Sequence, residues 1–198
     1  SVLSTLLMAT VTVSANTVVV TEAIQVVDGG TATDQQAAVS SDSEGNVHVV
    51  WTRNNLHLYY SMISQRGDTL IDTTQITNPG LHKIWHPDMV VDEMDRVHIV
   101  WTDKASQHKI VYTVLNPWAT PMDGSASDDG TISAIDDHVV SMRAQNRDWP
   151  AIDLDSQGNA HIVWEDSYDE LQRFFNQPQI YYTMLQPVIS TGAVVTLF

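Results

Sequence analysis

D-S-E-G-N-V-H-V-V-W, from Asp42 to Trp51, recurs as D-E-M-D-R-V-H-I-V-W from Asp92 to Trp101 and as D-S-Q-G-N-A-H-I-V-W from Asp155 to Trp164. The first and third copies share seven of ten letters. Each copy opens on turn formers: Gly supplies positive φ, and Asp or Asn bonds its own backbone. Each closes on a short apolar run with the residue types of a strand. The phrase therefore reads as a hairpin turn feeding a strand.

Working outward at the 50-residue offset between Trp51 and Trp101, residues 20–30 fall on 70–80 and residues 9–17 on 59–67. The residue types match as period-two strands around polar turns. Each repeat then reads as four short strands. In the first, strand A is Gln36 to Ser41, B is Asn46 to Thr52, C is Leu58 to Ser64 and D is Thr69 to Ile76. In the second, A begins at Pro87, B ends at Trp101, C runs near Lys109 to Leu115 and D is Thr131 to Val140. A turn-rich insertion, Asn116 to Gly130, widens the Trp spacing from 50 to 63 residues. In the third, A is Ala151 to Leu154, B is Asn159 to Glu165, C is Gln179 to Leu185 and D is Ala193 to Phe198. Strand C carries an aromatic signature: Leu58-Tyr59-Tyr60, Ile110-Val111-Tyr112 and Ile180-Tyr181-Tyr182.

No long segment shows helical periodicity. Strand-only repeats of about 40 to 60 residues, four strands each, mark a β-propeller. The expected fold is all-β, with about three and a half blades of four antiparallel strands. The divisions are residues 1–30 (an apolar segment and half blade), 31–80, 81–142 with an acidic insertion, and 143–198. Ala9 to Val27 read as a β-hairpin turning near Asn16, with a secretory segment ending in Val13-Ser14-Ala15 as the alternative. Propellers use about 4–8 blades, so the shortage points to a partner. That partner is either a second copy, joined through strand edges into an oligomer or polymer, or the rest of a larger propeller.

Composition narrows the function classes. Among 198 residues, 24 acidic side chains face nine basic ones, a formal charge of -15. Such a surface repels phosphate backbones, which argues against nucleic acid. The absence of cysteine excludes disulfides, Cys-zinc sites and thiol catalysis. The opening apolar stretch is too short and too rich in Ser and Thr to span a membrane.

The pattern P-x-[IM]-x-x-D-x-x-G-N-x-H-[IV]-V-W followed by I-Y-Y, best seen at Pro150 to Trp164 with Ile180-Tyr181-Tyr182, resembles the blades of sialidase-like (BNR-type) propellers. The resemblance covers nearly the whole chain as a blade type. It implies the fold, and it implies secretion or a cell-surface location, since such blades occur in many extracellular proteins. It does not carry an activity over. Sialidases of that superfamily carry an Asp-box, S-x-D-x-G-x-T-W, which this sequence lacks. They also use three arginines for a carboxylate, a Tyr–Glu nucleophile pair and an Asp acid. The six arginines here (Arg53, Arg66, Arg96, Arg143, Arg147 and Arg173) fall at differing blade positions and match no such triad. The expected role is a non-catalytic binding or self-assembly module, such as a surface or filament subunit. The rival is a sialidase-like glycan-processing enzyme or a lectin.

Candidate residues follow from blade position. His48, His98 and His161 occupy one place in strand B, where hydrogen bonding between neighbouring blades is a better reading than a shared metal site. Trp51, Trp101 and Trp164, on the opposite face, are expected inter-blade core. Trp85, His86 and Trp149 stand at entrances to strand A, in D–A loops that share a propeller face with the B–C loops. The B–C loops open with Arg53, Asp103-Lys104 and Glu165-Asp166. This aromatic and charged rim is the candidate ligand site, with a glycan as one candidate ligand. No cofactor is certain. The candidate metal is Ca²⁺, at Asp153, Asp155 and Asn159 or in the acidic loop at Asp123, Asp128 and Asp129, because hard oxygens suit a hard cation.

Overall fold

The computed structural model describes residues 23–77, 83–104, 108–116, 133–140, 147–166 and 179–186. Eleven strands lie among them, in three antiparallel sheets. Blade 1 orders β1 (Asp34–Ser41), β2 (Val47–Arg53), β3 (His57–Ile63) and β4 (Thr69–Gln75) as a meander. Blade 2 does the same with β5 (Ile84–Val91), β6 (Val97–Asp103), β7 (Lys109–Asn116) and β8 (Ser133–Val139). Blade 3 contributes β9 (Arg147–Leu154), β10 (Ala160–Asp166) and β11 (Gln179–Leu185). These are propeller-type blades, and the sequence reading of an all-β chain holds. The expected fourth strand of blade 3 and the Asn116 to Gly130 insertion lie outside the described residues, Asn116 itself excepted. So does the expected N-terminal hairpin up to residue 22. The part of that hairpin that is described corrects the reading, because residues 23–29 form no strand.

The repeated phrase builds one turn three times. In blade 1, Gly45 N donates to Asp42 O at 3.1 Å and Asp42 N to Asn46 O at 3.1 Å, with Gly45 at φ 77°. Asp42 Oδ1 also accepts from Glu44 N at 3.0 Å and Asn46 N at 2.7 Å, so the carboxylate caps the turn it begins. Blade 3 repeats this: Asp155 Oδ1 accepts from Gln157 N at 2.8 Å and Asn159 N at 2.9 Å. In blade 2 the glycine position is Asp95, held at φ 58°. Asp tolerates the left-handed region better than most residues. Here it also bridges blades, accepting from Ser43 N at 2.9 Å and Ser43 Oγ at 3.1 Å.

Stacked blades bury their apolar faces against each other. Val50, Leu58, Tyr60 and Met62 of blade 1 pack on Ile84, Met89, Val97, Ile99 and Trp101 of blade 2. Val100, Ile110, Tyr112 and Val114 on the other face of blade 2 pack on Ala160, Ile162 and Trp164 of blade 3. Trp101 and Trp164 thus fill inter-blade core, as read from the sequence. Trp51 is 3% exposed; its Nε1 donates to Asp34 Oδ1 at 2.9 Å and its ring stacks on Tyr59.

The histidines depart from expectation: each bonds within its own blade. His98 Nε2 lies 3.2 Å from Asp92 Oδ2 and Nδ1 lies 2.6 Å from Tyr112 OH. A carboxylate only accepts, so Nε2 carries the proton and neutral Nδ1 accepts from the tyrosine hydroxyl. His161 repeats the arrangement with Asp155 Oδ2 at 3.3 Å and Tyr182 OH at 2.9 Å. His48 lies 2.7 Å from Tyr60 OH and 3.3 Å from Asp42 Oδ2. The physical reason is reach. Turn, strand B and strand C of one sheet bring Asp, His and Tyr together at hydrogen-bond distance, whereas the next blade packs mostly apolar side chains there, and Asp95 near His48 is already held by Ser43. Burial holds His48 and His98 below the usual histidine value, outweighing the opposing pull of Asp42 and Asp92.

Candidate functional site

Strands β1, β5 and β9 are the first in their sheets and pack on one another in series, β1 on β5 and β5 on β9. Side chains satisfy backbone donors between them. Gln36 Oε1 accepts from His86 N at 2.7 Å, Ser40 Oγ from Val91 N at 3.2 Å and Asp88 Oδ2 from Ile152 N at 2.9 Å. An edge strand's free N–H groups are thereby paired without a continuous sheet.

Each of these strands is interrupted near its start. The register shifts between Gln35 and Ala38 in β1 and between Trp85 and Asp88 in β5, and β10 shifts between Val163 and Glu165 against β9. At the interruptions Gln36, His86 and Trp149 occupy φ 54°, 50° and 54°. This corrects the placement of Trp85, His86 and Trp149 in D–A loops: all three lie inside strands, at bulges. Strand A begins at Ile84 and Arg147, upstream of Pro87 and Pro150. The prolines concealed it, because Pro inside a run reads as a strand boundary. A bulge tolerates it, and a bulge also re-aims the neighbouring side chain.

At this end blades 2 and 3 assemble one cluster. The Trp149 indole lies parallel to the His86 ring, with centroids 3.6 Å apart and planes 20° apart. His86 Nδ1 is 2.5 Å from Asp148 Oδ1. Lys104 Nζ bonds Asp148 Oδ2, and its ammonium sits 4.7 Å from the Trp85 ring centroid. Burial pushes the Asp148 carboxyl up, but hydrogen bonds from Lys104 and His86 outweigh it and leave the group below the usual carboxylate range. Asp148 is therefore ionised at neutral pH and ties a lysine to a histidine. Trp149 remains 60% exposed above them.

Of the sequence candidates, this cluster unites Trp85, His86 and Trp149. Arg53 is elsewhere: it donates to Asp34 through Nε at 2.7 Å and Nη2 at 2.9 Å and lies over the Tyr59 ring. Asp103 accepts from Lys83 N at 3.4 Å. Glu165 and Asp166 end β10, opposite Asp148 and Arg147 in the register, and Asp166 is buried. Lys104 and Asp148 stand in the sequence rim beside Asp103 and Trp149, but the sequence does not single them out as site residues. Their adjacency to Asp103 and Trp149 was the available signal, but their pairing spans two blades and 44 residues.

The opposite end carries a cleft of about 380 Å³ between the A–B turns of blades 2 and 3, lined by Asp92, Met94, Arg96, Asp153, Asp155 and Gln157 among others. Asp92, Arg96, Asp153 and Asp155 in it already have partners. Asp92 Oδ2 takes Arg96 Nε at 2.6 Å besides His98, and Asp155 Oδ2 takes Asn159 Nδ2 at 2.7 Å besides His161. Asp153 Oδ1 accepts from Leu154 N at 2.9 Å. No group of three or more His, Cys, Asp or Glu in a metal-holding arrangement occurs among the described residues. Asp123, Asp128 and Asp129 lie outside them.

No family model matches the chain, and no curated protein matches it significantly. Among solved structures it is similar to the intramolecular trans-sialidase from Ruminococcus gnavus in complex with oseltamivir carboxylate, at 13% identity and a TM-score of 0.49. The match covers 80% of this chain and 33% of that one, so the chain spans about a third of the trans-sialidase's length.

Proposed function

We propose that this chain is a non-catalytic binding module that acts outside the cell and takes a glycan on the Trp149 cluster. The observation that carries the reading is the rigidly seated, exposed indole: Trp149 is 60% exposed yet stacks at 3.6 Å on His86. An exposed aromatic held by its neighbours offers a flat apolar platform at small entropic cost, as rigid aromatic anchors do at recognition surfaces. A sugar ring has a matching apolar face, and its hydroxyls find Lys104 as donor and Asp148 as acceptor beside it. The bulge belongs to every blade, since Gln36 and His86 share its backbone conformation. Blade 3 fills that position with a tryptophan.

The enzymatic alternative asks for two carboxyl groups about 5 to 10 Å apart across a cleft. Asp148 already accepts from His86 and Lys104, and Glu165 lies opposite it on the adjacent strand of the same sheet rather than across a cleft. Screening the purified chain and Trp149→Ala on an array of neutral and acidic glycans tests the proposal. The expected result is binding to a defined glycan class that weakens at least about tenfold in the variant, with the fold retained because the indole is exposed. Equal binding by both proteins, or no glycan binding at all, would falsify it. Turnover of sialosides or other glycosides by the wild-type chain would refute its non-catalytic part.

A further inference from the structure

Positions that are buried in blades 1 and 2 are open in blade 3. The face that blade 1 turns to blade 2 carries Val50, Leu58, Tyr60 and Met62, each 0% exposed. The equivalent face of blade 2 carries Val100 at 0%, Ile110 at 0%, Tyr112 at 8% and Val114 at 8%. In blade 3 the same four places hold Val163 at 38%, Ile180 at 75%, Tyr182 at 58% and Met184 at 49%. Strand register makes the equivalence strict: Val50 pairs Tyr60, Val100 pairs Tyr112 and Val163 pairs Tyr182. A contiguous apolar patch of this kind marks an interaction surface. Its residue pattern and register are those of the two inter-blade faces already packed in this chain, each of which packs on another blade's leading face.

This chain also displays such a leading face at its other end. Leading faces present a residue of the first strand beside alternate residues of the second: Met89 with Val97, Ile99 and Trp101 in blade 2, and Ile152 with Ala160, Ile162 and Trp164 in blade 3. Blade 1 offers Val39 with Val47 and Val49, paired Val39 to Val49 as Met89 pairs Ile99, while Trp51 at the end of the row is already covered at 3% exposure. Val39 is 64% exposed where Met89 is 5% exposed.

We propose that the trailing face of blade 3 docks the leading face of blade 1 of a second copy, continuing the blade series from one chain into the next. The contact is heterologous, head to tail, so it closes a ring if the rotation permits and otherwise extends a series. The charge of -15 on each copy opposes the encounter, so added salt promotes association.

Light scattering behind size exclusion, at about 1 to 100 µM and at about 0.15 and 0.5 M salt, tests this. The expected wild-type mass is at least twice the 22.0 kDa of the chain. Ile180→Asp and Val39→Asp each remove one half of the contact, at positions too exposed for either to disturb its own blade. Each variant alone is expected at 22.0 kDa with an unchanged circular dichroism spectrum. An equimolar mixture of the two is expected to form a mixed dimer, because it retains one intact pair of faces. A wild-type chain that stays at 22.0 kDa throughout overturns the proposal and leaves the face to a blade from another polypeptide. Association that survives both substitutions, or variants that fail to complement, overturns it as well.

Discussion

The three Asp–His–Tyr relays form a natural series in which chemistry is constant and burial varies. Removing the hydroxyl with Tyr60→Phe, Tyr112→Phe or Tyr182→Phe deletes one hydrogen bond and leaves a histidine Nδ1 without its donor. In blades 1 and 2 that nitrogen is sealed from water: His48 and His98 are 0% exposed, with hydroxyl distances of 2.7 and 2.6 Å. An orphaned buried acceptor costs about 1–3 kcal/mol. For a chain of this size that corresponds to a drop of roughly 2–12 °C in Tm. In blade 3 the distance is similar, 2.9 Å, but Tyr182 is 58% exposed and the His161 side chain 34% exposed. Water replaces the lost hydroxyl there, so the change stays within about 0.5 kcal/mol. Urea unfolding followed by tryptophan fluorescence, at protein concentrations low enough to keep the chain monomeric, measures all three. Equal losses at the three tyrosines would refute the reasoning, because local bonding rather than burial by the next blade would then set the cost.

Two further predictions rest on the same side chains. Because His48 and His98 have folded-state values below the ordinary 6.5, the folded chain binds fewer protons than the unfolded one beneath that pH. Their contribution is complete above about pH 6.5 and is lost as the pH falls through the lowered values. The stability difference between wild type and His98→Gln, which cancels whole-molecule charge repulsion, should therefore shrink from pH 7.5 to 5 in parallel urea titrations; a widening gap would reverse the sign. At the start of blade 1, Asp34 accepts from both Trp51 and Arg53. Asp34→Ala strands the buried indole N–H and should cost about 1–3 kcal/mol, whereas Arg53→Ala removes an ion pair with side chains 20% and 17% exposed but leaves Asp34 bonded to Trp51, costing about 1 kcal/mol or less. A larger loss from Arg53→Ala in chemical denaturation would contradict this ranking.

The blade pattern was legible because it is local. A turn of Asp, Gly and Asn followed by His, an aliphatic residue and Trp places each side chain on a known face of a strand, and the structure agrees at β2, β6 and β10 to within a residue or two. The start of strand A was not legible. Trp85-His86-Pro87 and Asp148-Trp149-Pro150 look like loop ends, since proline removes a ladder donor, yet a bulge accommodates both inside β5 and β9. The histidines were placed on the right strand and given the wrong partners. Sequence spacing shows which face a residue occupies, but the Asp and Tyr that meet it come from adjoining segments whose register must be known.

Taken alone, the repeat determined that this chain is all-β, built of meandering blades, with apolar residues on both faces of each second strand. Period-two alternation and turn chemistry act over a few residues, and that is enough to specify them. Only the tertiary structure decided which faces are covered. Val50 and Val163 occupy the same place in the repeated phrase, and one is sealed while the other is 38% exposed. It also decided that Lys104, Asp148, His86 and Trp149 form one cluster. Both outcomes depend on how one sheet seats on the next, a long-range arrangement set by packing rather than by any stretch of residues.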